Sequence, residues 1–306
     1  MRAVVFDRFG PPDVLRVAEL PDPEPGPGEV RVRVRAAGVQ PFDVYVRRGE
    51  MPGLPGSPQT GPRQIGQEYS GVIDRLGPGA SEAGLAVGDA VQGSTMLNAY
   101  AELLCVPVHH VVRKPDRLDF PTAAALVAAS QTASGALGEL GVAAGDVLLV
   151  HAAAGSVGTV ATQLARLGGA AVIGTASPAN HDYVRQLGAL PVAYGDGLVD
   201  AVRALDVTPT VALDAAGGAA VAQSIALGIP PARVGTIVDD KAAVEHGALV
   251  VRAGRSPERL AEVIALAARG SVRMPVRAYP LAEVAAAHAA VESRHGRGKV
   301  VLIVEP

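Results

Sequence analysis

The sequence is poor in cysteine and in aromatic residues: its 306 residues include one cysteine, no tryptophan, four phenylalanines and six tyrosines. The single cysteine, Cys105, excludes an internal disulfide and any zinc site built from several cysteines. Neither sign of charge dominates, since 27 Lys and Arg stand against 30 Asp and Glu. No large basic surface is then available to attract nucleic acid or anionic lipid, and we expect neither as a partner.

Long apolar runs are also absent. The most apolar stretch, Phe120 to Leu137, consists mostly of Ala, Ser and Thr and is interrupted by Pro121 and Gly135. It is too polar to span a bilayer comfortably. The beginning of the chain, Met1 to Asp7, has no apolar core of a signal peptide. The sequence therefore predicts a cytoplasmic protein without a membrane partner.

What the chain does have is 49% hydrophobic residues and 60 Gly and Pro, enough for a large core with frequent turns. Up to about residue 118, short apolar runs alternate with Gly/Pro turns, as in a β-rich lobe. Val30 to Ala36 alternates Val with Arg, which predicts a strand whose basic face is either a phosphate-binding stripe or a solvated surface. The Gly- and Pro-rich stretch from Arg48 to Pro62 predicts a long loop.

From about residue 119 the pattern changes to strands that alternate with helices. Val147 to Val150 is a continuous apolar run, typical of a parallel strand covered on both faces. The apolar positions of a helix follow and end at Gly168-Gly169, and further strands are predicted near 171–173, 192–194, 211–213 and 234–238. This succession predicts an α/β fold, a doubly wound parallel sheet of the Rossmann type over residues 119–252. Residues 298–304 predict a strand that returns to the first lobe.

A glycine pattern lies between the first predicted strand and helix of the α/β region. In His151-Ala152-Ala153-Ala154-Gly155-Ser156-Val157-Gly158, the fingerprint of dinucleotide-binding turns has Ala153, Gly155 and Gly158 at its three glycine places. A missing Cβ at Gly155 lets a pyrophosphate approach the backbone, and the helix N-terminus favours its charge. The predicted cofactor contacts are Ala153, Ala154, Gly155, Ser156, Val157 and Gly158. The alternative is a sharp turn without a ligand.

The end of the next predicted strand bears on the type of cofactor. NAD sites place Asp or Glu about 20 residues beyond the fingerprint to bind the ribose 2′-hydroxyl. Gly174 to Ser177 holds no acid, and the first basic residue beyond it is Arg185. This favours NADPH over NADH, with Ser177 and Tyr194 binding the 2′-phosphate.

Several motifs occur in one order along nearly the whole chain. They are Met1-Arg2-Ala3-Val4, Phe9-Gly10-Pro11-Pro12-Asp13-Val14-Leu15, Ala36-Ala37-Gly38-Val39-Gln40-Pro41, Tyr45-Val46-Arg47-Arg48-Gly49, Gly66-Gln67-Glu68-Tyr69-Ser70-Gly71-Val72, the fingerprint, Asp214 with Gly217-Gly218, and Gly298-Lys299-Val300-Val301. In these motifs the chain resembles the zinc-independent quinone oxidoreductases, the zeta-crystallin-like group of the medium-chain dehydrogenase/reductase superfamily.

The resemblance implies a Rossmann NADP(H)-binding domain (119–252) inserted into a β-rich, GroES-like catalytic lobe (1–118 plus 253–306). It implies NADPH-dependent hydride transfer to a quinone or an α,β-unsaturated carbonyl compound. It also implies a homodimer, with a candidate edge strand near residues 246–251. Zinc-dependent relatives have Cys and His where this chain has Gln40 and Gln67, so no zinc is expected.

The resemblance further assigns site residues. Gln40, Tyr45 and Arg294 lie around the nicotinamide, Thr132 lies near its carboxamide, and Val238 contacts the cofactor. Tyr45 would give a hydrogen bond or a proton to the reduced acceptor; its alternative is a half-buried tyrosine with a satisfied hydroxyl. For Arg294 the alternative is a solvated basic turn. Two other functions stay open: a biosynthetic enoyl reductase or reductive cyclase of the same fold, and a non-catalytic NADPH-binding or sensing protein.

Overall fold

The computed structural model describes residues 1–51, 62–252 and 254–304. The chain divides into two compact units. Unit 1 consists of Met1–Ala128, Leu260–Ala268 and Met274–Pro306, and unit 2 of Ala129–Arg259 and Arg269–Arg273. Most of the loop predicted between Arg48 and Pro62 lies outside the described residues.

Strands and helices follow one another in the order that the sequence pattern predicts, with β-structure first. The strands are β1 (Arg2–Phe6), β2 (Arg16–Glu19), β3 (Glu29–Val39), β4 (Arg63–Gln64), β5 (Glu68–Leu76), β6 (Ala90–Ser94), β7 (Leu103–Pro107), β8 (Val111–Arg113), β9 (Val147–His151), β10 (Ala171–Ala176), β11 (Leu190–Ala193), β12 (Val211–Asp214), β13 (Val234–Thr236), β14 (Leu249–Val250), β15 (Val276–Pro280) and β16 (Lys299–Ile303). The helices are α1 (Pro41–Arg48), α2 (Phe120–Glu139), α3 (Ser156–Leu167), α4 (His181–Gln186), α5 (Leu198–Arg203), α6 (Ala220–Ala226), α7 (Asp240–His246), α8 (Pro257–Ala268) and α9 (Val284–Glu292).

Unit 1 is built on two sheets. A small sheet has the order β2-β1-β4, and a larger one has the order β15-β16-β3-β5-β6-β8 with β7 also paired to β3. The alternating valines of β3 lie in a core with Phe6, Ile73 and Leu104. The last strand, β16, runs antiparallel to β3 with Val301 opposite Gly38, so the tail returns to the first lobe as predicted.

Unit 2 contains a six-stranded sheet in the order β11-β10-β9-β12-β13-β14, and every neighbouring pair is parallel. The continuous apolar strand β9 lies at its centre, where both faces are covered. This is the order of the doubly wound dinucleotide-binding fold, and it confirms the predicted fold class.

Helix α2 contains the most apolar stretch of the sequence, and its first half belongs to unit 1. The Ser70 hydroxyl donates to the carbonyl of Phe120 at 2.6 Å, and the amide of Ala128 donates to Glu68 Oε2 at 2.9 Å. The first half of α2 is therefore bound to unit 1 through β5. In the described part of the chain, no helix combines the length and the apolar character that crossing a membrane requires.

Candidate functional site

The carboxyl ends of the parallel strands of unit 2 lie side by side. Asp214 at the end of β12 is opposite His151 of β9 on one side and Thr236 of β13 on the other. The strand order reverses between β10 and β12, on the two sides of β9. Open parallel sheets bind ligands at the carboxyl edge where the order reverses. This edge is therefore the candidate cofactor site.

The turn from β9 to α3 is held by the neighbouring strand β10. Ala152 has a φ of 61°, in the left-handed region that residues with a Cβ rarely adopt. Its amide donates to Thr175 Oγ1 at 3.1 Å, and the amide of Ala153 donates to the Thr175 carbonyl at 2.9 Å. A Cβ added to Gly174 would lie 2.7 Å from the Ala153 methyl group. Alanine at the first glycine place is thus accommodated by a glycine in β10.

The two glycines of the fingerprint differ in the space around them. A Cβ added to Gly158 would lie 2.3 Å from the Ala152 carbonyl oxygen and 2.7 Å from Ala153 Cα, so only glycine lets α3 approach the turn. A Cβ on Gly155 would lie 3.3 Å from the same oxygen. Gly155 therefore leaves room beside the backbone instead of filling a close contact.

The first residues of α3 combine exposed backbone with a helix N-terminus. Gly155, Ser156 and Val157 are half-buried, whereas Ala153 and Ala154 are buried. The first N–H groups of a helix have no partner within it, and they carry a partial positive charge. The arrangement is suited to bind a phosphate group at the beginning of this twelve-residue helix.

The other residues assigned to the cofactor follow the ends of further strands. Ser177 follows β10, Tyr194 follows β11 and Val238 lies two residues beyond β13. The side chains of Tyr194 and Val238 are 60% and 50% exposed. Ser177 precedes a short turn instead of capping a helix with its side chain, and its Oγ accepts a hydrogen bond from Asn180 Nδ2 at 3.3 Å. Thr132 lies half-buried on α2, also in unit 2.

His151, the last residue of β9, is buried in a polar setting that the sequence analysis did not assign. The Ser224 hydroxyl donates to the Ala220 carbonyl, so His151 Nε2 donates to Ser224 Oγ at 2.9 Å. Burial lowers the pKa of His151 to about 4, and the opposing effect of Asp214 is smaller. The imidazole is therefore neutral near pH 7.

This pKa makes stability depend on pH. Between pH 6.5 and 4 the unfolded chain binds a proton at His151 that the folded chain does not, so unfolding becomes easier as the pH falls. The variant His151→Gln keeps a hydrogen-bond donor toward Ser224. Relative to the unchanged protein, we expect its free energy of unfolding to rise by about 3 kcal/mol as the pH is lowered from 7 to 4. Urea unfolding of both proteins at four pH values measures this. A stability difference that is independent of pH would contradict it.

The residues assigned to catalysis lie in unit 1, and two of them, Gln40 and Tyr45, lie at the beginning and in the middle of α1. Gln40 caps this helix: its amide donates to Asp43 Oδ2 at 3.0 Å in a reciprocal capping box. Its side chain donates from Nε2 to Gln67 Oε1 at 2.9 Å. Tyr45, one turn further along α1, is half-buried. Within the described ranges, no hydrogen bond joins the Tyr45 hydroxyl to another residue, and its role as a donor stays a prediction beside the alternative of a satisfied hydroxyl.

Arg294 follows α9 by two residues. It is exposed and has a φ of 54°, again in the left-handed region. Helix α9 packs on α1 through Glu292, which pairs with the buried Arg47 and, at 2.9 Å, with Arg48. The fold thus brings the end of α9 to the helix that carries Gln40 and Tyr45.

Asp43 is a buried group that the sequence analysis missed. One carboxylate oxygen accepts from Gln40 and, at 2.7 Å, from the Tyr100 hydroxyl, whereas Oδ1 has no partner. Burial raises the pKa of Asp43 to about 7, more than these two hydrogen bonds lower it. The missed signal was the spacing Gln40-x-x-Asp43, a capping-box pattern.

The donors near Gln40 do not resemble a zinc site. Gln40 and Gln67 bind each other, and Glu68 forms a buried ion pair with Lys299. Zinc prefers thiolate, imidazole and carboxylate ligands. Among the residues that the structure describes, no three His, Cys, Asp or Glu side chains are grouped to hold a metal ion.

Residues 26–116 match the alcohol dehydrogenase GroES-like domain, and residues 187–302 match the family described as zinc-binding dehydrogenase. The fold is similar to the structure of the quinone oxidoreductase from Coxiella burnetii, with a TM-score of 0.89 and 30% identity over 100% of this chain and 99% of that one. It is also similar to a mycobacterial protein complexed with NADPH, with a TM-score of 0.85 and 28% identity over 99% and 100% of the two chains.

The chain matches only a part of the length of its curated relatives. Protein NorB of the spectinabilin polyketide synthase system from Streptomyces orinoci is 35% identical over 264 residues, which are 80% of this chain and 12% of that protein. The chain spans about half the length or less of the curated relatives it matches, which include quinone oxidoreductases. With the domain matches and the full-length similarity in structure, these findings confirm the resemblance: the chain belongs to the quinone oxidoreductase group of the medium-chain dehydrogenase/reductase superfamily.

Proposed function

We propose that the protein is an NADPH-dependent oxidoreductase that reduces a quinone or an α,β-unsaturated carbonyl compound without zinc. The observation that carries this proposal is the glycine turn at the carboxyl edge of the parallel sheet. There Gly158 admits a close helix and Gly155 leaves open backbone in front of the N-terminus of α3. Relatives named for quinone reduction and for NADPH binding support it.

The residues present fit a dinucleotide. The backbone of Ala153 to Gly158 and the N-terminus of α3 would hold the pyrophosphate, and Thr132 and Val238 would contact the nicotinamide nucleotide. At the end of β10 stands Ser177 instead of an acid, so no carboxylate repels a 2′-phosphate there. Ser177 and the exposed Tyr194 would bind that phosphate, and NADH would bind more weakly. When bound, NADPH supplies a hydride.

The acceptor would need to be electrophilic already. The side-chain amide of Gln40 donates a hydrogen bond to that of Gln67, and Glu68 is neutralised by Lys299. None of these groups supplies the Lewis acid that oxidation of a simple alcohol requires. Quinones and enones accept a hydride without such assistance because their carbonyl groups are conjugated.

Tyr45 and Arg294 would then act on the oxygen that gains charge. Tyr45 is half-buried, and its hydroxyl would donate a hydrogen bond to an acceptor oxygen. Arg294, exposed just beyond the end of α9, would supply a positive charge to that oxygen. Gln40 would orient the acceptor from the beginning of α1.

A second candidate is a biosynthetic enoyl reductase or reductive cyclase. It is favoured by the match to a polyketide synthase protein over 80% of this chain. A binding protein without turnover is the candidate from another class. The homodimer and the domain boundaries at 119 and 252 stay predictions.

An acceptor panel tests the proposal. The protein is mixed with NADPH or NADH and with quinones, enones, saturated ketones and alcohols, each with and without a zinc chelator. We expect NADPH consumption with a quinone or an enone, a lower kcat/KM with NADH, and no effect of the chelator. NADPH binding without consumption by any acceptor would indicate the binding protein instead. Activity lost to the chelator would contradict zinc independence.

Tyr45→Phe tests the proton donor on the same panel. If Tyr45 delivers the proton, kcat should fall about 100-fold while the Kd for NADPH stays the same. Tyr69→Phe is the matched control, because the Tyr69 hydroxyl is buried without a partner among the described residues and its loss should leave turnover unchanged. Equal turnover of both variants on every acceptor would exclude Tyr45 as an essential acid.

A further inference from the structure

A buried relay of hydrogen bonds joins the carboxyl ends of β12 and β13. The Thr236 hydroxyl donates to Asp214 Oδ2 at 2.7 Å and accepts from the amides of Val238 and Asp239 at 3.1 and 3.0 Å. A hydroxyl has one proton and two lone pairs, so Thr236 uses its whole capacity. Both side chains are fully buried. The relay therefore fixes the direction in which the chain leaves β13.

The second oxygen of Asp214 fixes the neighbouring loop. Oδ1 accepts from the amides of Ala216 and Gly217, each at 2.8 Å. A carboxylate can accept on both oxygens, whereas an asparagine in its place would have only one acceptor oxygen. An aspartate at this position can therefore hold both loops, because each of its two oxygens accepts hydrogen bonds on one side.

The two loops that the relay serves lie against each other. A Cβ added to Gly217 would lie 3.6 Å from Val238 Cγ2. Gly217 has a φ of 76°, which favours glycine. Val238 is half exposed at this edge although it is apolar. The relay therefore holds an apolar side chain and a glycine loop in a fixed arrangement next to the carboxyl edge.

The position of the relay suggests which part of a dinucleotide it serves. The fold consists of two mononucleotide-binding halves, and the ribose that distinguishes NAD from NADP lies beyond the fingerprint, on the side of β10. The relay lies on the other side, at β12 and β13. We propose that Asp214 and Thr236 are positioning residues that hold the loops for the nicotinamide mononucleotide and leave the adenosine half untouched. This inference rests on the proposed function.

The test uses NADPH and 2′,5′-ADP, which represents the adenosine half alone, with Kd measured by calorimetry. Thr236→Val removes the hydroxyl at nearly equal volume. This substitution should raise the Kd of NADPH about tenfold, the equivalent of one net hydrogen bond, and change the Kd of 2′,5′-ADP less than twofold. Thr236→Ser restores the hydroxyl and should restore NADPH binding. Thr162→Val is the matched control, because Thr162 Oγ1 is buried without a partner.

Other outcomes overturn the inference. If Thr236→Val raises the Kd of both ligands equally, or of neither, the relay does not position the loops for the nicotinamide half. If the unchanged protein binds neither ligand, the proposed function fails and this inference with it. Should Thr236→Val not fold, hydrogen exchange in the unchanged protein decides. NADPH should slow the exchange of four amides, and 2′,5′-ADP should not: those of Ala216, Gly217, Val238 and Asp239. Equal protection of these amides by both ligands contradicts the inference.

Discussion

Lys299→Met is expected to lower the free energy of unfolding by about 3–5 kcal/mol, because it leaves the Glu68 carboxylate buried without its partner. The two side chains are 4% and 1% exposed, so water cannot replace the lost ammonium group. Glu68 also accepts from the amide of Ala128 at 2.9 Å, which does not neutralise a charge. Urea unfolding at pH 7 measures the difference.

Two further variants separate the loss of the pair from the loss of one partner. The double variant Glu68→Gln/Lys299→Met removes both charges and should recover most of the stability, since a buried ion pair replaced by neutral groups costs little. Arg185→Met removes one partner of the exposed pair Arg185–Asp182 and should cost about 1 kcal/mol or less. A double variant as unstable as Lys299→Met would show that the pair itself contributes the stability.

Gly158→Ala is expected to have the largest effect on cofactor binding. The new methyl group would meet the backbone of Ala152 and Ala153, which cannot rotate away, so α3 must move off the turn. We expect a loss of about 1–3 kcal/mol in stability from overpacking. Displacement of the helix N-terminus should weaken the binding of NADPH about 100-fold. Calorimetric titration with NADPH measures the second effect.

Two glycine variants serve as controls for this prediction. Gly138→Ala, in α2, meets no atom within 4 Å and should stabilise the protein by about 0.5–1 kcal/mol. Gly155→Ala meets a single oxygen at 3.3 Å, so it should keep the fold and leave α3 in place. NADPH binding by Gly158→Ala at the affinity of the unchanged protein would contradict the assigned role of the turn.

The Rossmann sheet could be predicted because its signals are local. A continuous apolar strand, a glycine turn and a helical period follow one another within 147–167, and short-range patterns of this kind specify both elements and their connection. The return of the last strand to the first lobe was predicted as well, although helix α9 precedes Lys299 to Ile303 and β16 pairs in parallel with β15.

Long-range pairs could not be predicted. The basic face of β3 was interpreted as either a phosphate stripe or a solvated surface, yet Arg31 is only 7% exposed and binds Asp74, which lies 43 positions away. Asp214 and Thr236 are 22 positions apart, and the sequence around neither residue predicts their hydrogen bond. Such contacts depend on strand order, which follows from packing of the whole sheet and not from a local period.

The pairing of β16 with β3 also dictates an order of events during synthesis. Roughly 230 residues separate the end of β5 from the end of β16, and at about 5–20 residues per second the ribosome needs about 10–50 seconds to make them. Until then residues 36–39 of β3 present an open edge and Glu68 has no counter-ion. The strands of unit 2 lie within that interval. The parallel sheet can therefore form while this edge of β3 is still open, and the edge is covered only when the last strand has been made.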